Sequence, residues 1–87
     1  MKFSDLQFEE IEGFNAPGRR ARASFPNGYG ASVGSHANSY GGRDGLYELA
    51  VIDAGGELCY DTPVTSDVEG WCTEERVEQL LAQIEAL

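Results

Sequence analysis

The sequence predicts an α+β domain, an antiparallel β-sheet of two hairpins, extendable by an N-terminal strand, with one C-terminal helix packed on one face. Three observations carry that prediction. Residues 19–25 alternate apolar and polar side chains with the two-residue period of strands, and residues 46–53 form a β-like run apolar on both faces; Asn27-Gly28 and Gly55-Gly56 stand where tight turns would join strands; and residues 73–87 repeat apolar side chains at helical spacing. The 87 residues make one small domain, 1–87. Folding such a chain buries only somewhat over ~60% of its unfolded surface, too little core for an enclosed active-site cavity of the usual size.

Residues 3–14 place Phe3, Leu6, Phe8 and Ile11 at spacings that fit a short helix or a strand about equally. We read residues 7–12 as the strand, with Gly13 ending it. Asn15-Ala16-Pro17-Gly18 reads as a turn, because proline fixes φ and glycine accepts φ > 0 after it. Arg20, Arg22 and Ser24 then alternate with Ala21, Ala23 and Phe25, the pattern of a half-buried strand. Pro26-Asn27-Gly28 predicts a hairpin through a type I′ turn, whose central residues need the φ > 0 that Asn and Gly tolerate. From Tyr29, the residues Tyr29, Ala31 and Val33 share one strand face, while Gly30, Ser32 and Gly34 form a thin opposite face open to close approach.

Residues 35–45 show no apolar periodicity and read as a long loop, the kind of segment where binding residues concentrate. Residues 46–53 are apolar on both faces, which predicts a central strand. Ala54-Gly55-Gly56 turns it back into residues 57–61, the expected return strand of a second hairpin. Pro63 has no N–H to donate, so residues 62–71 read as an acidic connection outside the sheet. Thr73 suits an N-cap, Glu74 and Glu75 complement the helix dipole, and Cys72 and Val77 occupy staple positions. Val77, Leu80, Leu81, Ile84 and Leu87 then form one apolar stripe.

Fifteen acidic residues against six basic ones give a net charge of −9. The imbalance is polarised along the chain: the segment up to Arg43 carries +1, and the remainder, with eleven acids and only Arg76, carries −10. Phosphate binding needs clustered cations, so direct nucleic-acid binding is not expected. A dense single-sign field speeds encounter with a basic partner. No stretch approaches the roughly 18–20 apolar residues of a membrane span, and the acidic turn at Asp5 does not suit a secretory signal, so no membrane association and a cytoplasmic location are expected.

Catalytic and ligand motifs are weak throughout. Gly28, Gly30 and Gly34 are one residue too widely spaced for a dinucleotide fingerprint and open a strand, where that motif opens a helix. His36, the single histidine, has Ser35 and Ser39 nearby but no nucleophile elbow or oxyanion signature, and reads as a solvent-exposed loop residue. Asp44, Asp53, Asp61 and Asp67 follow no calcium-loop spacing, and Cys59 with Cys72 is too few thiols for zinc. No enzyme activity, cofactor or metal is expected. Arg19, Arg20 and Arg22 form the one basic cluster, read first as neutralising acids of the same molecule and alternatively as a small basic contact site.

The blocks FPNGYGASV, SYGGRDGLYELAV, CYDTPVTSDVEGW and TEERVEQLLAQIEAL, over residues 25–87, resemble a family of small acidic proteins encoded by tailed bacteriophages and prophages. Tyr29, Gly30, Tyr40, Gly41, Gly42, Tyr47, Asp61, Pro63, Asp67, Gly70 and Trp71 fit its pattern. That family supplies no catalytic residues. The resemblance implies expression in the cytoplasm of an infected bacterium and leaves Arg19, Arg20 and Arg22 outside it.

These readings converge on a small acidic binding protein that inhibits or redirects a host complex, most concretely an anti-CRISPR-type nucleic-acid mimic facing a basic protein or nucleoprotein. The alternative is an accessory or structural phage protein that self-associates through the edges of its sheet, for example as a homodimer. The expected contact surface comprises Asp61, Asp67, Glu69, Trp71, Glu74 and Glu75, because an aromatic anchor ringed by charge is a common hot-spot composition. Trp71 itself is open between this role and the core, with the core reading favoured. The loop residues Tyr40 and Arg43 are the second candidate surface.

Overall fold

A computed structural model describes residues 1–12, 17–36 and 39–87. It contains one five-stranded antiparallel sheet and one C-terminal helix. The strands are β1 (Glu9–Glu12), β2 (Pro17–Ser24), β3 (Gly30–Ser35), β4 (Tyr47–Ile52) and β5 (Glu69–Cys72), each paired with the next in sequence order, and α1 spans Glu74–Glu85. Two 3-10 turns, Phe3–Asp5 and Gly42–Asp44, complete the regular structure of the described residues.

Alternation decides which face is covered. Ala21, Ala23, Ala31, Val33, Leu49 and Val51 are buried on one face, beneath Val77, Leu80, Leu81 and Ile84 of α1, all four with no exposed surface. Thr73 caps the helix as expected, its Oγ1 accepting the Arg76 N–H at 3.1 Å, and both staple residues are buried. The helix stops two residues short of the predicted end, so Leu87 lies beyond the stripe and is exposed. Asn27, at the β2–β3 turn, donates from Nδ2 to the carbonyls of Ile84 (2.9 Å) and Leu87 (3.2 Å), tying the hairpin tip to the helix C-terminus.

Several local expectations are corrected. The β2–β3 connection is not type I′: Gly28 has φ 91° but Asn27 does not have positive φ. Gly28 N–H bonds to the Phe25 carbonyl and Phe25 N–H to that of Tyr29, so Pro26 takes the second position of a type I turn and Gly28 forms the following bulge. Proline's fixed φ selects that geometry. The turn expected at residues 15–18 falls partly on residues 13–16, outside the described residues, while Pro17 and Gly18 already belong to β2. The N-terminal strand is real but shorter, starting at Glu9.

The larger correction concerns the partner of β4. Asp53 Oδ1 accepts from the N–H groups of Gly55 and Glu57 and makes the expected turn, but residues 57–61 form no strand: they hold a bridge from Ile52 to Leu58 and two backbone bonds, Asp53 N–H to the Glu57 carbonyl and Cys59 N–H to the Val51 carbonyl. The edge of β4 is instead taken by β5, from a segment expected to be irregular, pairing Tyr47 with Cys72 and Leu49 with Glu69 across a register shift. Burying Cys72 beside Tyr47 delivers the chain directly onto the helix cap, which residues 57–61, twelve or more positions earlier, cannot do.

Candidate functional site

The site is built where the 36–46 loop meets β5. Trp71 occupies β5 with φ 51°, the sole non-glycine residue with positive φ among the described residues, and for a bulky side chain that conformation carries strain. Contrary to the core reading, its side chain points out and is 61% exposed. Tyr40, 54% exposed, lies against it with ring centroids 5.4 Å apart and planes inclined at 30°. Trp71 N–H donates to the Tyr40 carbonyl at 3.1 Å, and Tyr40 N–H donates to Glu48 Oε2 at 2.8 Å.

Two glycines make this approach possible. A Cβ on Gly41, which has φ 87°, would fall 2.8 Å from Trp71 Cα, and a Cβ on Gly70 would fall 2.4 Å from Tyr40 Cβ. Each aromatic residue therefore rests on the glycine adjoining the other, and the pairs Tyr40-Gly41 and Gly70-Trp71 interlock. The result is a rigid, exposed aromatic platform at the open edge of the sheet.

Charge surrounds it unevenly. Glu69, two residues before Trp71, lies 3.9 Å from Arg76 with both side chains partly exposed, a weak pair in solvent. Glu74 and Glu75 are exposed in the first turn of α1, and Arg43 is exposed in the 3-10 turn. Asp67 is exposed and accepts the Val68 N–H at 2.7 Å. Asp61 is exposed in the preceding connection and accepts from the Cys59 thiol at 2.8 Å. That hydrogen bond, ahead of any other influence, raises the Cys59 pKa, and burial raises that of Cys72. The two candidate surfaces thus share one centre, Tyr40 with Trp71. Asp61 and Asp67 contribute exposed charge, their hydrogen bonds going to Cys59 and Val68.

Glu48, Gly41 and Gly70 hold the platform and were not among the expected residues. The available signal was the Tyr-Gly and Gly-Trp dipeptides in two separate non-periodic segments. His36 is half-buried, not solvent-exposed, and its backbone exchanges bonds with Ser39. Arg19 lies on the aromatic cluster of the N-terminal segment, its guanidinium carbon 4.9 Å from the Phe8 ring centre and 5.3 Å from that of Tyr47, and donates to the Tyr47 hydroxyl. Glu10 and Glu9 stand opposite Arg19 and Arg20 in register, but no ion pair joins the cluster to an acid among the described residues, so the neutralising role expected of it stays an expectation. Among the described residues no group of three or more His, Cys, Asp or Glu side chains converges as a metal site, and no helix is long and apolar enough to cross a membrane. No family model, curated protein or solved structure matches the chain.

Proposed function

We propose that this chain is a binding protein that docks its acidic, aromatic edge onto a basic surface of a partner protein, in the phage setting its sequence resembles and most concretely as a nucleic-acid mimic of the anti-CRISPR type. The observation that carries the reading is the Tyr40–Trp71 platform. Tyr40 and Trp71 are 54% and 61% exposed, Trp71 on a backbone held in a strained conformation and within the part of the chain, residues 44–87, that carries −10. Arginine and lysine side chains of a partner would meet ring faces and carboxylates together. Pairing of sheet edges between copies is opposed by Glu9 and Glu10 on β1 and by the register shift and positive φ in β5.

The test is capture from bacterial lysate with the wild type, Trp71→Ala and the double reversal Asp67→Lys, Glu69→Lys, followed by association rates with the captured partner. A nucleic-acid-binding complex retained by wild type, lost by Trp71→Ala and bound several-fold more slowly at low salt by the double reversal is the expected result. Retention of only further copies of this chain, or equal behaviour of all three proteins, refutes the proposal.

A further inference from the structure

The sheet face turned away from α1 holds a groove of about 250 Å³. Its floor crosses the sheet from Ile11 of β1 and Arg20 of β2 through Gly34 of β3 to Glu48 and Ala50 of β4, and Leu58, Tyr60 and Val68 of the connection wall one side. Register sets its polarity. Arg20, Gly34 and Glu48 stand side by side on adjacent strands, which leaves a cation at one end, a carboxylate at the other and a low floor between. Gly34 is not demanded by packing or by positive φ, since a Cβ there would meet nothing nearer than the Arg19 carbonyl at 3.8 Å. Its effect is to keep the floor open.

The two charged ends differ in availability. Glu48 already accepts the Tyr40 N–H, whereas Arg20 is exposed and makes no ion pair among the described residues, although Glu9 faces it across β1 and β2. Leu58 and Tyr60 remain 56% and 42% exposed beside the groove. A cation would be repelled at the Arg20 end and a multiply charged anion opposed by Glu9 and Glu48, while a neutral ligand would leave the guanidinium unused. We infer that this groove binds a small apolar monocarboxylic acid, its carboxylate on the Arg20 guanidinium and its body laid over Gly34 and Ala50 against Leu58 and Tyr60. The fork of the guanidinium matches a carboxylate, and the volume suits roughly eight to ten non-hydrogen atoms. This site does not depend on the docking role of Trp71.

Phenylacetate and its neutral counterpart phenylacetamide are suitable probes, titrated into the isotopically labelled full chain and followed by amide chemical shifts. Phenylacetate should give saturable shifts at Ser32, Gly34 and Ala50 with a Kd of about 0.1–10 mM, and phenylacetamide should bind about tenfold more weakly. Arg20→Gln should abolish that preference, and Leu58→Ala should weaken both probes; both side chains are exposed, so an unchanged spectrum elsewhere verifies the fold. Absence of saturation at the groove by about 20 mM, equal affinity for acid and amide, or an acid preference surviving in Arg20→Gln overturns the inference.

Discussion

The strain at Trp71 makes a prediction opposite to the ordinary rule for strands. At normal strand φ, replacing a residue by glycine costs roughly 0.5–1 kcal/mol more than replacing it by alanine, because glycine loses more backbone freedom on folding. At φ 51° a residue with a Cβ carries about 1–2 kcal/mol of left-handed strain that glycine does not. Trp71→Ala keeps the strain and loses the ring contact with Tyr40, worth roughly 0.5–1.5 kcal/mol. Trp71→Gly loses the same contact but relieves the strain, and should stay within about 1 kcal/mol of wild type. Glycine should therefore exceed alanine by roughly 0.5–1 kcal/mol, about 2–8 °C in Tm for a domain of this size. Thermal unfolding followed by far-UV circular dichroism reads the order directly. An alanine variant melting at or above the glycine variant would refute the claim that this backbone is strained. Both variants should lose partner binding, since neither retains the ring.

Leu80 has no exposed surface and sits among Val77, Leu81 and Ile84, so Leu80→Ala should cost ~2–5 kcal/mol and lower Tm by about 10 °C or more; a drop of only a few degrees would deny the helix its place on the sheet. Asn27→Ala removes the bonds from the hairpin tip to the Ile84 and Leu87 carbonyls, and should cost roughly 0.5–1.5 kcal/mol with faster amide exchange confined to the last turn of α1; unchanged exchange there would show the bonds to be idle. Burial, reinforced by Glu69, pushes the Cys72 thiol above its ordinary 9.0, so the stability this confers is complete below 9.0 and is lost as pH rises through the folded-state value. The advantage of wild type over Cys72→Ala in Tm should accordingly shrink between about pH 8 and 11, and parallel curves would contradict it.

The parts of the fold legible in the sequence are those where local chemistry and tertiary packing agree. The β2 alternation and the stripe on α1 each follow one period and are buried on the face it selects, and β4, apolar on both faces, is buried on both. β5 was illegible for a physical reason. Glu69-Gly70-Trp71-Cys72 contains a glycine, faces its apolar ring outward and is four residues long, so it carries no two-residue alternation. Residues 57–61 look more like a strand, yet a strand's partner is fixed by where the chain must go next. Here the helix cap at Thr73 has to lie above the sheet, and the segment immediately before it takes the edge of β4.

The candidate site was legible as composition and illegible as geometry. Tyr40 and Trp71 are thirty-one positions apart in segments without periodicity, so the sequence assigned them to different surfaces, and tryptophan's size favoured the core for one of them. What unites them is a pair of close approaches that depends on residues with no side chain at all, Gly41 beneath Trp71 and Gly70 beneath Tyr40. Such an arrangement restricts both rings before any partner arrives. Ordering a rotamer-rich side chain on binding costs about 0.5–1.5 kcal/mol, and two aromatic side chains already braced against each other and against glycine backbone avoid most of it. The same bracing explains why a strained tryptophan is tolerated at an exposed edge: its N–H is satisfied by the Tyr40 carbonyl, Tyr40 N–H by Glu48, and the sheet through β4 holds both in place. Release of the ring by Trp71→Gly should therefore leave the sheet intact while removing the surface it presents.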